Sequence, residues 1–158
     1  DLFIHELSDI YSAEKQLTKS LPRLARAAEN PDLAAAFEAH LEETQGQIER
    51  IDQVVEVLGI RLKRIKCAAM EGLVEESKEV IDSIEEGPVR DAALIGGAQK
   101  VEHYEIASYG TIAALAKQLG YKDALPLLLE TLEEEKATDE KLTLLAKSGG
   151  NARAAQAA

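Results

Sequence analysis

Carboxylate side chains interrupt the apolar faces of the helices that the sequence predicts. On a helical wheel, Glu14 falls on the apolar stripe of the first helical segment. Glu105 falls near the centre of the stripe of the third segment, and Glu102 lies one turn before it. In the fourth segment, Glu135 and Asp139 take positions of a leucine stripe. Because carboxylates are rarely buried unless their charge is compensated, these positions indicate a binding site inside the protein.

The second segment carries polar residues beside its stripe. Thr44 lies within a stripe that runs from Leu33 to Leu58, and His40 and Gln47 lie on one shoulder of it. Glu43 lies further round the wheel, where a solvated side chain is also compatible with the pattern.

The acids also share a level along the bundle. If the first two segments form an antiparallel pair with a turn near residue 30, Glu14 lies opposite roughly position 46, between Glu43 and Gln47. A turn near residue 121 similarly places Glu105 opposite Asp139. We therefore expect the carboxylates in one layer at mid-bundle.

Two ways of compensating such a layer remain open. Two divalent cations would neutralise four carboxylates, and an oxygen-rich set of ligands suits iron or manganese better than zinc or copper. Alternatively, the acids are protonated and hydrogen-bonded to one another and to Tyr109 or Thr44. Among the histidines, we expect His40 to hydrogen-bond near the ligands rather than to bind a metal, and His5 and His103 to lie on the surface.

Four long segments of helical period position these residues. They cover roughly residues 2–28, 33–58, 89–119 and 124–147. Short turns pair the first with the second and the third with the fourth, while residues 60–86 form a long connection that contains a short helix at 69–84. Two hairpins joined by one long crossover are typical of a ferritin-like four-helix bundle, an all-α fold. The bundle is expected to occupy residues 1–148, and residues 149–158 a flexible, alanine-rich tail.

Composition excludes several other classes of protein. The chain has 158 residues and a net charge of −11, which disfavours binding to nucleic acid or to an anionic membrane surface. No apolar run is long enough to span a bilayer. A single cysteine, Cys67, excludes an intramolecular disulfide and a cysteine-based zinc site, so we expect a cytoplasmic protein and an inert thiol.

Five stretches of the sequence resemble the YciF-like bacterial stress proteins, a branch of the ferritin-like superfamily related to the rubrerythrins. These stretches are ELSDIYSAEKQL (6–17), HLEET (40–44), KCAAMEGL (66–73), EHYEIASYGT (102–111) and LEEEKATDEKL (132–142). The resemblance covers nearly the whole chain except the tail.

The resemblance implies a set of metal ligands, one or two from each long helix. These are Glu14, Glu43, the Glu-x-x-Glu pair Glu102 and Glu105, Glu135, and Asp139 where some relatives have a histidine. The Glu-x-x-His motif of di-iron bundles is absent, and Gly46 stands where the histidine of the second helix would be. The implied chemistry is peroxide reduction or dioxygen-dependent iron oxidation, with two ions bridged by Glu43 and Glu135 and with Tyr109 as a nearby hydrogen-bond donor.

A second class of function is also open. The missing histidines favour a structural or interaction protein that has kept the bundle without the chemistry. Apolar residues on the connection suggest a surface for a homodimer, namely Ile60, Leu62, Ile65 and Leu73. Ferritin-style iron storage is a third alternative, and it would need a cage of many copies.

Overall fold

The computed structural model describes all 158 residues, and all of its regular secondary structure is helical. The helices are α1 (Leu2–Ala27), α2 (Pro31–Leu58), α3 (Ala68–Ser83), α4 (Pro88–Gln118), α5 (Leu125–Leu145) and α6 (Asn151–Ala157). A single π-helical turn, Ala146–Gly150, joins α5 to α6. None of the helices combines the length and the apolar character that crossing a membrane requires.

The four long helices form the bundle. Helices α1 and α2 pack together as one hairpin, and α4 and α5 as the other; α1 then contacts α4, and α2 contacts α5. The predicted all-α architecture of two hairpins and a crossover is confirmed. The core comes from the inward stripes, and Leu7, Ile10 and Ile112 are among its fully buried residues.

The acidic residue Asp91, in the first turn of α4, fastens the two hairpins to each other. Its carboxylate accepts hydrogen bonds from the backbone N–H groups of Glu29 and Asn30, at 2.9 and 2.8 Å. The neighbouring Arg90 donates to the carbonyl of Ala27 from Nε and Nη2. The turn between α1 and α2 is thereby held at the start of α4, which sets the relative level of the two hairpins.

Serine side chains of α1 hold the crossover in place. After α2 ends at Gly59, which has a left-handed φ of 59°, the chain runs without regular structure to α3. Ser8 and Ser12 accept hydrogen bonds from the backbone N–H groups of Lys63 and Cys67, both at 2.9 Å. Helix α3 then packs on α1 and α4, over the side of the bundle away from α2 and α5.

The alanine-rich end of the chain is a helix in the structure, in place of the flexible tail that the sequence suggested. Helix α6 packs against α4, and Gly150 at its start is buried beside the Cδ1 atom of Ile95. Alanine has the highest helix propensity of all residues, which the interpretation of a tail did not take into account.

The apolar residues proposed for a dimer surface lie largely against the protein's own core. Ile60, Leu62 and Leu73 are half-buried and pack on the core cluster. Ile65 is also half-buried. They therefore offer less free apolar surface than the sequence pattern suggested.

Candidate metal centre

Four carboxylates lie in the centre of the bundle. Glu14 on α1, Glu102 and Glu105 on α4, and Glu135 on α5 are all 0 % exposed. Glu14, Glu105 and Glu135 take positions of the apolar stripes of their helices, as the pattern predicted, and Glu102 lies on the flank of the stripe of α4. Their burial is the first requirement of an internal metal site.

A histidine of α2 joins three of these acids. One ligand atom from each of His40, Glu102, Glu105 and Glu135 lies within 4.8 Å of the ligand atoms of the other three. We call these four residues the His–Glu cluster. His40 is buried, and its Nε2 atom lies 3.0 Å from Oε1 of Glu102. Three helices thus contribute to a single group of ligand atoms.

The cluster leaves polar atoms buried without hydrogen bonds. Both carboxylate oxygens of Glu102, Glu105 and Glu135 lack a partner, and so does Nε2 of His40, which contacts Glu102 without hydrogen-bond geometry. Buried polar groups in native proteins are otherwise almost always satisfied. A divalent cation would satisfy oxygen and imidazole ligands together, so the residues fit such an ion.

His40 lies among the potential ligand atoms themselves, whereas the sequence pattern favoured a hydrogen-bonding position near them. The buried face of α2 is rotated from the predicted stripe towards His40, Thr44 and Gln47, while Leu41 and Ile48 are only half-buried. The apolar pattern alone misplaced the centre of this face, since three of its central residues are polar. The polar triplet at i, i+4 and i+7 was the signal available in the sequence.

Glu14 lies beside the cluster and is held by a tyrosine. The hydroxyl of Tyr109 on α4 donates to Oε2 of Glu14 at 3.1 Å, and Tyr109 is fully buried. The other oxygen of Glu14 has no partner. The predicted role of Tyr109 as a neighbouring donor is compatible with this geometry.

The two remaining predicted ligands lie at the edges. Glu43 is half-buried on α2 and outside the His–Glu cluster. Asp139 is also outside it: its side chain is 22 % exposed, and its Oδ2 atom lies 3.2 Å from Nε2 of the exposed His103. Gln99 donates to Asp139 at 3.4 Å. The structure thus brings Glu14, Glu102, Glu105 and Glu135 together and leaves Asp139 in a surface pair between α4 and α5.

Burial and mutual repulsion shift the acids towards their protonated forms when no cation compensates them. Burial raises the pKa of Glu14 to about 8, although the nearby Glu105 carboxyl, as a donor when it is protonated, acts to lower it. The pKa values of Glu102 and Glu105 are raised well above the usual range, again chiefly by burial and then through Glu135. For Glu135, burial also acts upward, but the adjacent Glu105 and Glu102 carboxyls, which can donate to it only when they are protonated, outweigh burial and lower the pKa.

The same burial keeps the imidazole neutral. It lowers the pKa of His40, although the charge of Glu135 acts in the opposite direction. A neutral imidazole has a lone pair free for a metal ion. The histidine is therefore in the protonation state that a ligand needs.

A charged network next to the cluster was not predicted. Arg50 of α2 donates from Nη2 to Oε2 of Glu134 on α5 at 2.7 Å, and Gln47 donates to Oε1 of the same acid at 3.3 Å. Oε1 of Gln47 has no partner although Gln47 is fully buried. This network links α2 to α5 one layer from the His–Glu cluster. Sequence reasoning missed it because both charged residues lie off the apolar stripes.

Comparison with known proteins identifies the family. The family described as a domain of unknown function, DUF892, matches residues 1–155. The chain belongs to this family. The protein YciF of Escherichia coli K12 is 68 % identical over 155 residues, which are 98 % of this chain and 93 % of that protein. The resemblance found in the sequence motifs is thereby confirmed.

Solved structures of relatives share the fold. The crystal structure of the E. coli stress protein YciF matches with a TM-score of 0.93 at 68 % identity and covers 96 % of both chains. YcfI of Rhodopseudomonas palustris, proposed to be a structural protein, matches with a TM-score of 0.87 at 48 % identity, covering 90 % of this chain and 91 % of that one. A protein of Xanthomonas campestris has the same fold at 22 % identity, with a TM-score of 0.78 and coverage of 98 % and 95 %.

Proposed function

We propose that the protein binds transition-metal ions in the core of its bundle and acts in a stress response. The observation that carries this proposal is the set of buried ligand atoms without hydrogen-bond partners in the His–Glu cluster. Left ionised and uncompensated, such a layer would cost several kcal/mol for each charge. The stress-response role rests on the similarity to YciF, which is described as a stress protein.

The composition of the site favours iron or manganese, with two ions per chain. Four buried carboxylates and one imidazole form an oxygen-rich set, which suits these metals better than copper or zinc. Two divalent cations would balance the four negative charges of Glu14, Glu102, Glu105 and Glu135. Glu14 on α1 and Glu43 on α2 would add ligands beyond those that one ion would use. Asp139 would join only by breaking its pair with His103.

The protein's own groups define what the site does. Bound iron or manganese would supply one-electron redox chemistry towards peroxide or dioxygen. His40 provides a neutral nitrogen ligand, and Tyr109 orients Glu14 through its hydroxyl. Buried apolar side chains on both sides of the acids, with Ile10 and Ile112 towards one end of the bundle and Leu21 towards the other, keep bulk water away from the carboxylates. A small oxidant is therefore the class of substrate that we propose.

Metal analysis tests this proposal directly. Protein purified without chelator and then dialysed against Fe²⁺ or Mn²⁺ should retain about two ions per chain, as expected for a four-carboxylate site. The double variant Glu14→Gln with Glu105→Gln should retain fewer, with an unchanged circular dichroism spectrum. Retention of less than one ion by the wild-type protein would overturn the proposal. Peroxide consumption by the loaded protein, compared with the double variant, tests the redox part separately.

A metal-free structural role is the second candidate, and the raised pKa values favour it. With Glu14, Glu102 and Glu105 protonated, Glu135 accepts hydrogen bonds from Glu105 and Glu102, and the core needs no ion. The relative YcfI is proposed to be a structural protein. Under this alternative, added metal would leave the thermal stability unchanged.

A cytoplasmic homodimer remains our proposal for the assembly. In such a dimer, the parts of the crossover's apolar side chains that its own core leaves exposed would lie against a second copy. Analytical ultracentrifugation at micromolar concentration tests it: a monomer would contradict the dimer, and a large cage would instead support iron storage.

A further inference from the structure

A cleft between α2 and α5 leads from the surface to the His–Glu cluster. It has a volume of about 140 Å³, and its lining includes Ala39, His40, Glu43, Ala137, Thr138 and Lys141. We call it the α2/α5 cleft. Ala39, Ala137 and Lys141 are exposed, Glu43 and Thr138 are half-buried, and His40 is buried. The lining thus passes continuously from solvent to a ligand of the proposed metal site.

This cleft is large enough to admit an ion to His40, whereas the opposite side of the cluster is nearly closed. A second cavity, between α1, α3 and α4, also touches His40 and Glu102, but it has a volume of only about 10 Å³. Such a space holds roughly one water molecule, whereas an incoming ion carries several. Helix α3 covers that side of the bundle, so the crossover closes it.

Two residues of the otherwise largely apolar lining, Glu43 and His40, could bind a cation on its way inward. The exposed rim is formed by Ala39, Ala137 and Lys141, and the two alanines leave room for bound water. Glu43, also in the lining, is half-buried, and its carboxylate can replace some of that water. His40 is the buried ligand residue of the lining, and its Nε2 atom lies 3.0 Å from Glu102 of the cluster.

We infer that the α2/α5 cleft is the loading path for the metal, with Glu43 as an intermediate ligand that receives a divalent cation from solvent and passes it to His40 and Glu135. The inference rests on the proposed metal centre and adds its point of entry. Lys141 at the rim opposes cations, so it limits the rate of loading without contributing a ligand.

A blocking variant tests the path. Ala39→Trp places a large side chain at the rim of the cleft, while the control Ala69→Trp places the same side chain on an exposed position of α3. Both are exposed positions on helices, and circular dichroism would verify folding. Metal uptake is measured by stopped flow, with Mn²⁺ added to chelator-treated protein in competition with a chromophoric chelator. The Ala39→Trp variant should take up Mn²⁺ about tenfold more slowly than wild type, because uptake then requires local opening of the helices. The final stoichiometry should equal that of wild type.

A charge variant gives independent evidence. Lys141→Ala should load Mn²⁺ about threefold faster at low ionic strength, and the difference should shrink in 0.5 M salt because salt screens the charge. The control Lys78→Ala removes an exposed charge from α3 and should leave the rate unchanged. Glu43→Gln should lower the rate of Mn²⁺ loading by a larger factor than it lowers the number of ions bound at equilibrium.

The outcomes separate the two claims. If wild type takes up no Mn²⁺, the metal centre itself is refuted. If wild type binds Mn²⁺ but Ala39→Trp loads as fast as Ala69→Trp, the metal centre stands and the loading path is overturned. Equal acceleration by Lys141→Ala and Lys78→Ala would likewise overturn the specific role of the cleft.

Discussion

His40 contacts Glu102 across the bundle, with 3.0 Å between Nε2 and Oε1, and so connects the first hairpin to the second at the level of the buried acids. Neither atom is satisfied by a hydrogen bond. The contact brings a nitrogen ligand and an oxygen ligand from different hairpins to one point. A metal ion bound there would hold the two hairpins together as well as serve any chemistry.

Removing the imidazole should therefore weaken metal binding selectively. We expect His40→Ala to lower the affinity for Mn²⁺ or Fe²⁺ by at least about tenfold, the scale seen when a supporting group of a metal site is lost. His103→Ala is the matched control, because His103 is 70 % exposed and pairs with Asp139 at the surface. Isothermal titration with chelator-treated protein measures both. Equal affinities for the two variants would show that His40 is not a ligand.

The sequence predicted the acids of α1, α4 and α5 because an apolar stripe with a regular period makes an interruption visible. Glu14, Glu105 and Glu135 take stripe positions, and all three are fully buried. Asp139 also lay on the predicted stripe, yet its side chain is partly exposed. Positions that repeat strictly every seven residues drift round a straight helix by about 20° per repeat, so Asp139 turns away from the core. In addition, the wheel of a single helix cannot show that His103, on the neighbouring helix, pairs with Asp139.

The role of His40 could not be predicted in the same way. Which side of α2 faces the acids depends on its packing against α1 and α5, and the buried polar residues Thr44 and Gln47 do not mark that side as apolar residues would. The network of Arg50 with Glu134 likewise depends on the distance between two helices. Long-range contacts of this kind follow from tertiary packing, which a single helical period does not encode.

The stability of the chelator-treated protein should fall as the pH rises from 6.5 to 8. Glu14, whose pKa is raised to about 8, and Glu102 and Glu105, whose pKa values are also raised, bind more protons in the folded state than in the unfolded state over this range. Stability therefore decreases by about 1.4 kcal/mol per pH unit for each extra proton held. His40 and Glu135, whose pKa values are lowered, act in the opposite direction only below about pH 6.5.

Urea denaturation at several pH values would measure this dependence. Glu105→Gln should reduce the slope, because a neutral amide replaces an acid that has to ionise. Saturating Mn²⁺ should flatten the curve of the wild-type protein, since the cation compensates the carboxylates. A stability that rises between pH 6.5 and 8 without metal would contradict the protonated core.

The junction at Asp91 should contribute strongly to stability. Asp91→Ala removes the acceptor of two hydrogen bonds and leaves the N–H groups of Glu29 and Asn30 unpaired in a partly buried turn. Charge-assisted bonds of this kind contribute about 1.5–3 kcal/mol each, so a loss of about 3 kcal/mol is expected. Asp123→Ala, at an exposed turn, should change stability by less than about 0.5 kcal/mol. Similar melting temperatures for both variants would refute the role of Asp91.

The thiol of Cys67 should be unreactive in the folded protein. Cys67 is buried as the N-cap of α3, where its sulfur accepts a hydrogen bond from the N–H of Met70 and lies 3.1 Å from the hydroxyl of Tyr104. Burial raises its pKa, and the thiol form is a poor nucleophile. Iodoacetamide at pH 8 should therefore label it only in denaturant. Met70 and Tyr104 would have to move apart for labelling of the native protein, so rapid labelling would contradict this packing.

The packing at the start of α6 leaves no room for a side chain at position 150, where the protein has Gly150. A Cβ atom at this position would lie 2.8 Å from the carbonyl oxygen of Leu145, closer than packed atoms approach, and 3.6 Å from Cδ1 of Ile95. We expect Gly150→Ala to destabilise the protein by about 1–2 kcal/mol, as overpacking does, and to increase hydrogen exchange in Asn151–Ala157. In contrast, Gly72→Ala on α3 meets no atom within 4 Å and should stabilise its helix by up to about 1 kcal/mol. If exchange in α6 is complete within seconds in the wild-type protein, these residues form a tail rather than a packed helix.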